Sequence, residues 1–309
     1  MTLESGKAHR FTRGDRVVVI ANPATRVNTR TVVTILERTV PDGVSLDLQW
    51  TRAPGGAKDL AAEALQAAVD GVIAVGGDGT VSDVASALLG TGMPLGVLPG
   101  GSTNIVAREH GVPKDMFEAA RLIFGRHVLA PADVALCNER PFLHMAGAGF
   151  DSLFFNMTDP ALKRRIGWMA YLPAAAQALL VQPATYRIEA EGEMITAKSP
   201  MVLVANGASI ITPMLKLSPD IRSDDGWLDL IVVTATKPHE LASVLARLAT
   251  LQFEKSPLVV HRRVRTLSLV SSREIPVELD GDVLETTPAT FGIVPAAIEF
   301  IVPARQQSH

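Results

Sequence analysis

The chain is poor in cysteine and in aromatic residues. Among its 309 residues there are one cysteine, two tyrosines and three tryptophans. The single cysteine, Cys137, excludes an intramolecular disulfide and a cysteine-based zinc site. It lies in a strand-like apolar run, which predicts a small core residue, and its isolation suits a reducing compartment.

Positive charge and long apolar runs are also lacking. The formal net charge is −3, which argues against a nucleic-acid protein held by bulk positive charge. Residues 1–16 are polar and carry no apolar core of a secretory signal. The longest apolar stretch, residues 168–181, contains Pro173 and is too short to cross a bilayer. We therefore expect a cytoplasmic protein whose contact with a membrane, at its inner face, is peripheral.

Two familiar phosphate motifs are absent. The chain has no G-x-x-x-x-G-K-[ST] segment, so it is not a P-loop protein, and no G-x-G-x-x-G at a strand-to-helix junction, so the dinucleotide fingerprint is missing. Any nucleotide site must be built differently.

Secondary-structure patterns divide the chain into two parts. Up to about residue 131, apolar strand-like runs alternate with helical runs, which predicts a three-layer parallel α/β domain over 1–131. Short strand signals dominate afterwards and predict a mainly antiparallel β-sandwich domain over 132–309. Helical runs at 162–180 and 239–252 interrupt these strands, and Glu191-Gly192 is typical of a hairpin tip.

The most informative segment joins a predicted strand to a predicted helix. Gly76, Gly77, Asp78, Gly79 and Thr80 follow the apolar run 72–75 and precede the helical run 81–89. Glycines let backbone N–H groups approach an anion, and the helix N-terminus adds unpaired donors. Because Thr80 and the acid three residues later have the spacing of a capping box, we expect the helix to begin there.

Asp78 is unexpected inside an anion-binding loop, because a carboxylate repels phosphate. It either holds a metal ion or a lysine, or accepts a proton from an attacking hydroxyl. The alternative is a tight turn in which the aspartate caps the next helix.

A second glycine-rich segment, Pro99 to Asn104, also follows a strand. Its glycine N–H groups, its hydroxyls and the Asn104 amide suit phosphate or ribose. Ligands of parallel sheets bind at the carboxyl ends of the strands, so the two loops together predict a nucleotide site.

Two motifs follow these glycine segments along the chain, first 225–229 (Asp-Gly-Trp-Leu-Asp) and then 279–282 (Leu-Asp-Gly-Asp). The order of all four carries a resemblance. The chain resembles the diacylglycerol kinase catalytic-domain family, which includes bacterial lipid kinases, sphingosine kinases and ceramide kinases. The resemblance covers residues 17 to 302. It implies an NAD kinase/diacylglycerol kinase-like fold and ATP-dependent transfer of phosphate to a lipid hydroxyl.

The resemblance also implies roles for individual residues. Asp225 would bind Mg²⁺ together with the backbone carbonyls of Arg222 and Trp227. Asp282 would be the general base, with Asp78 as the second candidate. The nucleotide site would be lined by Asn22, Thr51, Gly76, Gly77, Asp78, Gly79, Thr80 and Ser102.

Two departures from the family pattern stand out. The base position holds Asp282 in place of the usual glutamate, so its reach is one methylene shorter. Ile105 stands where the family usually has an aspartate.

Asp133 matches an acidic position near the family's active site and is either a site residue or an acid at a strand edge.

One basic and aromatic cluster, Lys163-Arg164-Arg165 with Trp168 and Tyr171, is either a solvated helix start or an anchor on anionic lipid head groups.

We expect a two-domain, ATP- and Mg²⁺-dependent lipid kinase. A homodimer is left open. The alternatives are an NAD kinase-like phosphotransferase with a soluble acceptor and a catalytically degenerate lipid- or nucleotide-binding protein.

Overall fold

The computed structural model describes residues 8–24, 28–149, 182–210, 212–250 and 252–304. It divides into two compact units, Met1–Val134 with Pro295–His309 and Ala135–Val294. The division follows residue 134, close to the boundary expected at 131, and the last fifteen residues group with the first unit. The helical run at 162–180 and the basic cluster at 163–171 lie outside the described residues.

A parallel sheet forms the centre of the first unit. Its strands are β2 (Arg16–Ala21), β3 (Ser45–Trp50), β4 (Gly71–Gly76) and β5 (Pro94–Pro99). They lie in the order β3-β2-β4-β5, all parallel. The end of the last strand of the chain, β19 (Ala289–Val302), pairs in parallel with β5. All six residues of β4 are buried, as a strand covered on both faces requires.

Helices cover both faces of this sheet. They are α1 (Thr29–Thr39), α2 (Gly56–Gln66), α3 (Asp78–Leu88), α4 (Ile105–Glu109) and α5 (Met116–Phe124). The first connection leads from β2 to β3 on one side of it in the sheet. The next two connections lead to β4 and then β5, which lie on the other side of β2. Right-handed crossovers therefore place α1 on one face and α2 and α3 on the opposite face. The predicted three-layer α/β domain is confirmed.

The N-terminal end of the described chain adds a short antiparallel pair. Strand β1 (Ala8–His9) pairs with β6 (His127–Cys137), and His9 lies directly opposite His127. His9 Nδ1 and His127 Nε2 are 2.8 Å apart, and His127 is 1% exposed. Burial lowers the pKa of His127 to about 4, so this imidazole is neutral near pH 7.

The second unit contains two antiparallel sheets. Its strands are β7 (Arg140–Phe142), β8 (Met145–Gly149), β9 (Ala184–Ala190), β10 (Glu193–Ser199), β11 (Met201–Ala205), β14 (Leu228–Val233), β15 (Val259–Val264), β16 (Thr266–Ser271), β17 (Pro276–Leu279) and β18 (Asp282–Thr286). A six-stranded sheet has the order β15-β14-β11-β8-β17-β18. The other has β10, β9, β16 and the first part of β19. The short strand β7 pairs with β6.

The core of the second unit is shared by the two sheets. Tyr186, Phe142, Phe291 and Leu228 are among its large buried side chains, and Cys137 belongs to it with 0% exposure. This burial confirms the predicted core cysteine, and it raises the pKa of the Cys137 thiol to about 12. A short pair, β12 (Ser209–Ile210) with β13 (Thr212–Lys216), and helix α6 (Pro238–Ala249) complete the unit, followed by a 3₁₀ turn, Phe253–Lys255.

One predicted strand proved to be two. The pattern predicts a single strand over 263–270, but β15 ends at Val264 and β16 begins at Thr266, and the two belong to different sheets. The chain changes sheets at Arg265, and alternation in sequence does not mark such a change. The predicted hairpin tip is confirmed, since Glu191 and Gly192 both have positive φ, 51° and 83°.

Candidate active site

The two glycine loops of the first unit touch. Gly76 lies opposite Pro99 in the sheet, and Gly100 N donates a hydrogen bond to Gly76 O at 2.7 Å. Beyond this bond the backbones of Gly77 and Gly101 pack directly together. A Cβ added to Gly101 would lie only 2.5 Å from the Cα of Gly77. The two loops therefore form one continuous backbone surface, and glycine at 101 is required by this close approach.

Helix α3 begins earlier than its capping pattern predicts. It starts at Asp78 with Gly77 as the N-cap, and no side chain caps it. The predicted helix start at Thr80 was wrong because the glycine after β4 lets the chain turn into the helix at once. The N-cap is a glycine, which has no side chain to occupy the N–H groups of the first turn, and a helix start of this kind suits an external anion.

Thr80 instead lies in the first turn of α3 and is 7% exposed. Its Oγ1 accepts a hydrogen bond from Asn22 Nδ2 at 3.3 Å, while Asn22 Oδ1 accepts from Ala24 N at 2.9 Å. The amide nitrogen of Asn22 thus joins the end of β2 to the start of α3, while its oxygen fixes the turn that follows β2. Thr51 follows the neighbouring strand, and its N–H donates to Ala21 O at 2.9 Å.

Asp78 connects the first loop to the second. Its Oδ1 accepts a hydrogen bond from Val106 N at 3.0 Å, at the beginning of α4. The aspartate therefore does cap a helix, but a helix 28 residues further along the chain. Within the second loop Asn104, at φ 48°, accepts from Gly101 N at 2.8 Å and donates back to Gly101 O at 2.9 Å.

The predicted nucleotide residues of the first unit thus share one edge of the sheet, where β2, β3, β4 and β5 end. An open cavity of about 510 Å³ lies at this edge. It is lined by Pro23, which follows Asn22, by Trp50, which precedes Thr51, and by four residues of α1, Thr29, Arg30, Val33 and Thr34. Gly79 and Ser102 are exposed.

The motif with Asp282 forms the turn between β17 and β18 in the second unit. Asp280 and Gly281 occupy its tip with φ of 51° and 103°. Asp280 is not a surface turn residue: its two carboxylate oxygens accept hydrogen bonds from Leu143 N and His144 N, each at 2.8 Å. A third comes from Met145 N at 3.2 Å.

Glu278 fixes the same turn from the other side. It is 2% exposed, and its Oε1 accepts a hydrogen bond from Gly281 N. Glu278 was not anticipated from the sequence, and Asp280 was expected only as a member of the 279–282 motif. Together they hold the segment that presents Asp282, which is exposed at the start of β18.

The predicted metal-binding turn also has partners within the second unit. Asp225 Oδ1 accepts from Trp227 N at 3.1 Å, and Asp225 Oδ2 lies 2.5 Å from Arg263 Nη2. Arg222 forms a bidentate pair with Asp224 at 2.8 and 2.9 Å. Arg263 was not anticipated from the sequence. Because a guanidinium already pairs with the carboxylate, the residues of this turn do not fit a bound Mg²⁺ as arranged.

Two further acids are buried and hydrogen-bonded. Asp229 is 1% exposed and lies 2.6 Å from His261 Nε2. Asp133 is 3% exposed and accepts from Ala296 N at 2.8 Å, where the backbone has a positive φ of 48°. Among the described residues no group of three His, Cys, Asp or Glu side chains is placed to bind a metal. Nor does that part of the chain contain a helix long and apolar enough to cross a membrane.

Two models of known protein families match the chain. Residues 16–137 match the model of the diacylglycerol kinase catalytic domain, and residues 144–302 match the YegS C-terminal NAD kinase beta sandwich-like domain. The chain belongs to the diacylglycerol kinase catalytic-domain family. The family resemblance and the predicted sandwich fold of the second domain are confirmed.

Individual members of the family show how far the similarity extends. A probable lipid kinase, YegS-like, from Klebsiella pneumoniae is 30% identical over 267 residues, which is 85% of this chain and 88% of that protein. An uncharacterized protein of Synechocystis sp. is 31% identical over 237 residues, 75% of this chain, and the chain spans 54% of its length.

A solved structure extends the match to the whole fold. The crystal structure of a "putative diacylglycerol kinase" from Bacillus anthracis aligns with a TM-score of 0.76 at 26% identity. The alignment covers 94% of this chain and 98% of that one.

Proposed function

We propose that this protein is a lipid kinase that transfers the γ-phosphate of ATP to the hydroxyl of a membrane-derived lipid. One observation carries the proposal: the two glycine loops meet at Gly77 and Gly101, beside the uncapped start of α3. A glycine-rich backbone surface beside a helix N-terminus suits the polyphosphate of a nucleotide. Family membership supports a kinase in which ATP is the donor.

The nucleotide is assigned to the edge of the parallel sheet. The β- and γ-phosphates face the loop from Gly76 to Thr80 and the hydroxyl of Ser102. The adenine ring of ATP enters the cavity between Pro23 and Trp50, where an indole ring offers a stacking surface. Asn22, which precedes Pro23, and Thr51, which follows Trp50, position the sugar and phosphates.

Asp282 is the proposed general base. Its carboxylate takes the proton of the lipid hydroxyl as the oxygen attacks the γ-phosphorus. A new P–O bond forms to the lipid, the bond from the γ-phosphorus to the bridging oxygen breaks, and ADP leaves. The hydrogen bonds of Asp280 and Glu278 fix the turn before Asp282. This restricts the positions open to the Asp282 carboxylate, whose side chain is shorter than the usual glutamate.

Asp78 is the second candidate for the base. Its hydrogen bond to Val106 N gives it a structural task in joining the two loops. A carboxylate engaged in this way is less free to follow a proton, and for that reason Asp282 is preferred.

Mg²⁺ is assigned to the ATP complex, as in other kinases, where it offsets phosphate charge. We assign no step to a metal at Asp225. Diacylglycerol is the first acceptor to test, because the matching family model carries that name. A peripheral contact with a membrane stays a prediction, since the basic cluster at 163–171 lies outside the described residues.

A transfer assay with labelled ATP tests the proposal. The purified protein is given diacylglycerol, monoacylglycerol, a sphingoid base and a total lipid extract in mixed micelles, and NAD and glycerol as soluble acceptors. We expect label in the organic phase, with at least one lipid. Label on NAD alone would establish the soluble-acceptor alternative. ATP binding without transfer to any acceptor would establish a binding protein.

A further inference from the structure

The second unit contains a charge pair at the position where the family resemblance implies a metal. Arg263 Nη2 lies 2.5 Å from Asp225 Oδ2. The other oxygen, Asp225 Oδ1, accepts from Trp227 N at 3.1 Å. The Asp225 side chain is only 19% exposed, so the pair is partly shielded from water. A cation from the chain itself therefore already faces this carboxylate.

The sheet fixes Arg263 in this place. Strand β15 carries Arg263 and pairs with β14, where Asp229 lies directly opposite it. The turn with Asp225 leads straight into β14, so backbone pairing brings the two side chains together. The guanidinium also lies 5.5 Å from the centre of the Trp227 ring, and that of Arg265 lies 4.6 Å from it. Such contacts hold arginine side chains in defined positions.

A guanidinium and a divalent cation compete for one carboxylate. Each supplies the positive charge that the carboxylate needs, and the two repel each other strongly at contact distance. We propose that Arg263 takes the place of a metal ion at Asp225, so that the turn of residues 222–227 is held without a metal. The role that the resemblance gives to Mg²⁺ is carried here by a residue of the chain.

The first test compares thermal unfolding of the full chain in EDTA and in about 10 mM MgCl₂ or CaCl₂. A site saturated about a hundredfold would raise Tm by about 5 °C or more. We expect a difference below about 1 °C. A rise of several degrees that is lost in Asp225→Asn would overturn the proposal.

The second test uses Tb³⁺, whose emission is sensitised by a nearby tryptophan. Arg262 provides a matched control, because it lies on the same strand and pairs with Glu193 at 3.3 Å, away from Asp225. We expect Arg263→Gln, but neither the parent protein nor Arg262→Gln, to show saturable emission. This emission should disappear when Trp227→Phe or Asp225→Asn is added.

A charge-conserving variant completes the set. Arg263→Lys keeps one positive charge beside Asp225 and should show neither Tb³⁺ emission nor a Mg²⁺-dependent Tm. Emission in the parent or in Arg263→Lys, or its absence from a folded Arg263→Gln, contradicts the proposal. Because no measurement in this set uses turnover, the result is independent of whether a lipid is phosphorylated.

Discussion

Replacing Gly101 with alanine is the sharpest test of the contact between the two loops. The added Cβ would lie 2.5 Å from the Cα of Gly77 and 2.9 Å from Asn104 Oδ1. Carbon atoms in contact prefer roughly 3.5 to 4.0 Å, so the loops must separate by about 1 Å. One neighbour is backbone, which cannot rotate away as a side chain can. We expect a loss of about 1–3 kcal/mol in the free energy of unfolding.

The effect on function should exceed the effect on stability. A displacement of about 1 Å in a group that positions substrate costs on the order of 10²-fold in rate. We therefore expect Gly101→Ala to remain folded but to bind ATP weakly. Denaturant unfolding gives the free energy, and calorimetric titration with ATP gives the affinity.

Two other glycines calibrate the result. A Cβ on Gly77 would lie 3.3 Å from the Cα of Gly101, so Gly77→Ala should be milder. A Cβ on Gly292, in β19, meets no atom within 4 Å, so Gly292→Ala should change stability by less than about 1 kcal/mol. If Gly101→Ala is as stable as Gly292→Ala and binds ATP like the parent, the loops are not in contact as described.

Three further predictions concern single side chains. Asp280→Ala should lower the free energy of unfolding by about 3 kcal/mol or more, because three N–H groups at Leu143 to Met145 lose a charged acceptor; a denaturant-measured loss below about 1 kcal/mol would refute this. The pKa of His127 is lowered from 6.5 to about 4. The contribution of its neutral form to the free energy of unfolding is therefore full above pH 6.5 and is lost as the pH falls toward 4. Relative to His127→Gln, the parent should lose up to about 3 kcal/mol across this window, and parallel pH curves for the two proteins would rule the effect out. Asp78→Asn keeps an acceptor for Val106 N, so its Tm should stay near that of the parent and its turnover should fall far less than that of Asp282→Asn, because Asp282 is the proposed base; a loss of turnover of about 10²-fold or more in the folded variant would make Asp78 the base instead.

The sequence locates both glycine loops correctly because the signals are local. At each loop an apolar run, a glycine pair and a helical run follow one another within about twenty residues, and parallel strands bring neighbouring loops to one edge. The contact between Gly77 and Gly101 is invisible in sequence, since it depends on two strands pairing with Gly76 opposite Pro99.

The hydrogen-bond partners of the acidic residues could not be predicted from the sequence. Asp78 bonds to a residue 28 positions away, Asp225 to one 38 away, and Asp280 to residues 135 to 137 away. An aspartate beside a glycine is locally the same whether it caps a turn, pairs with arginine or binds a metal. The tertiary neighbour alone separates these cases, and the sequence does not name it.

The measurement that tests the central claim most directly is transfer of labelled γ-phosphate to diacylglycerol by the parent protein and by Asp282→Asn. The parent should phosphorylate the lipid. The variant should do so about 10² to 10⁴ times more slowly, with ATP affinity unchanged, because the nucleotide loops belong to the other unit. Equal rates for the two proteins would contradict Asp282 as the base. Absence of transfer from the parent, with every lipid offered, would contradict the assignment as a lipid kinase.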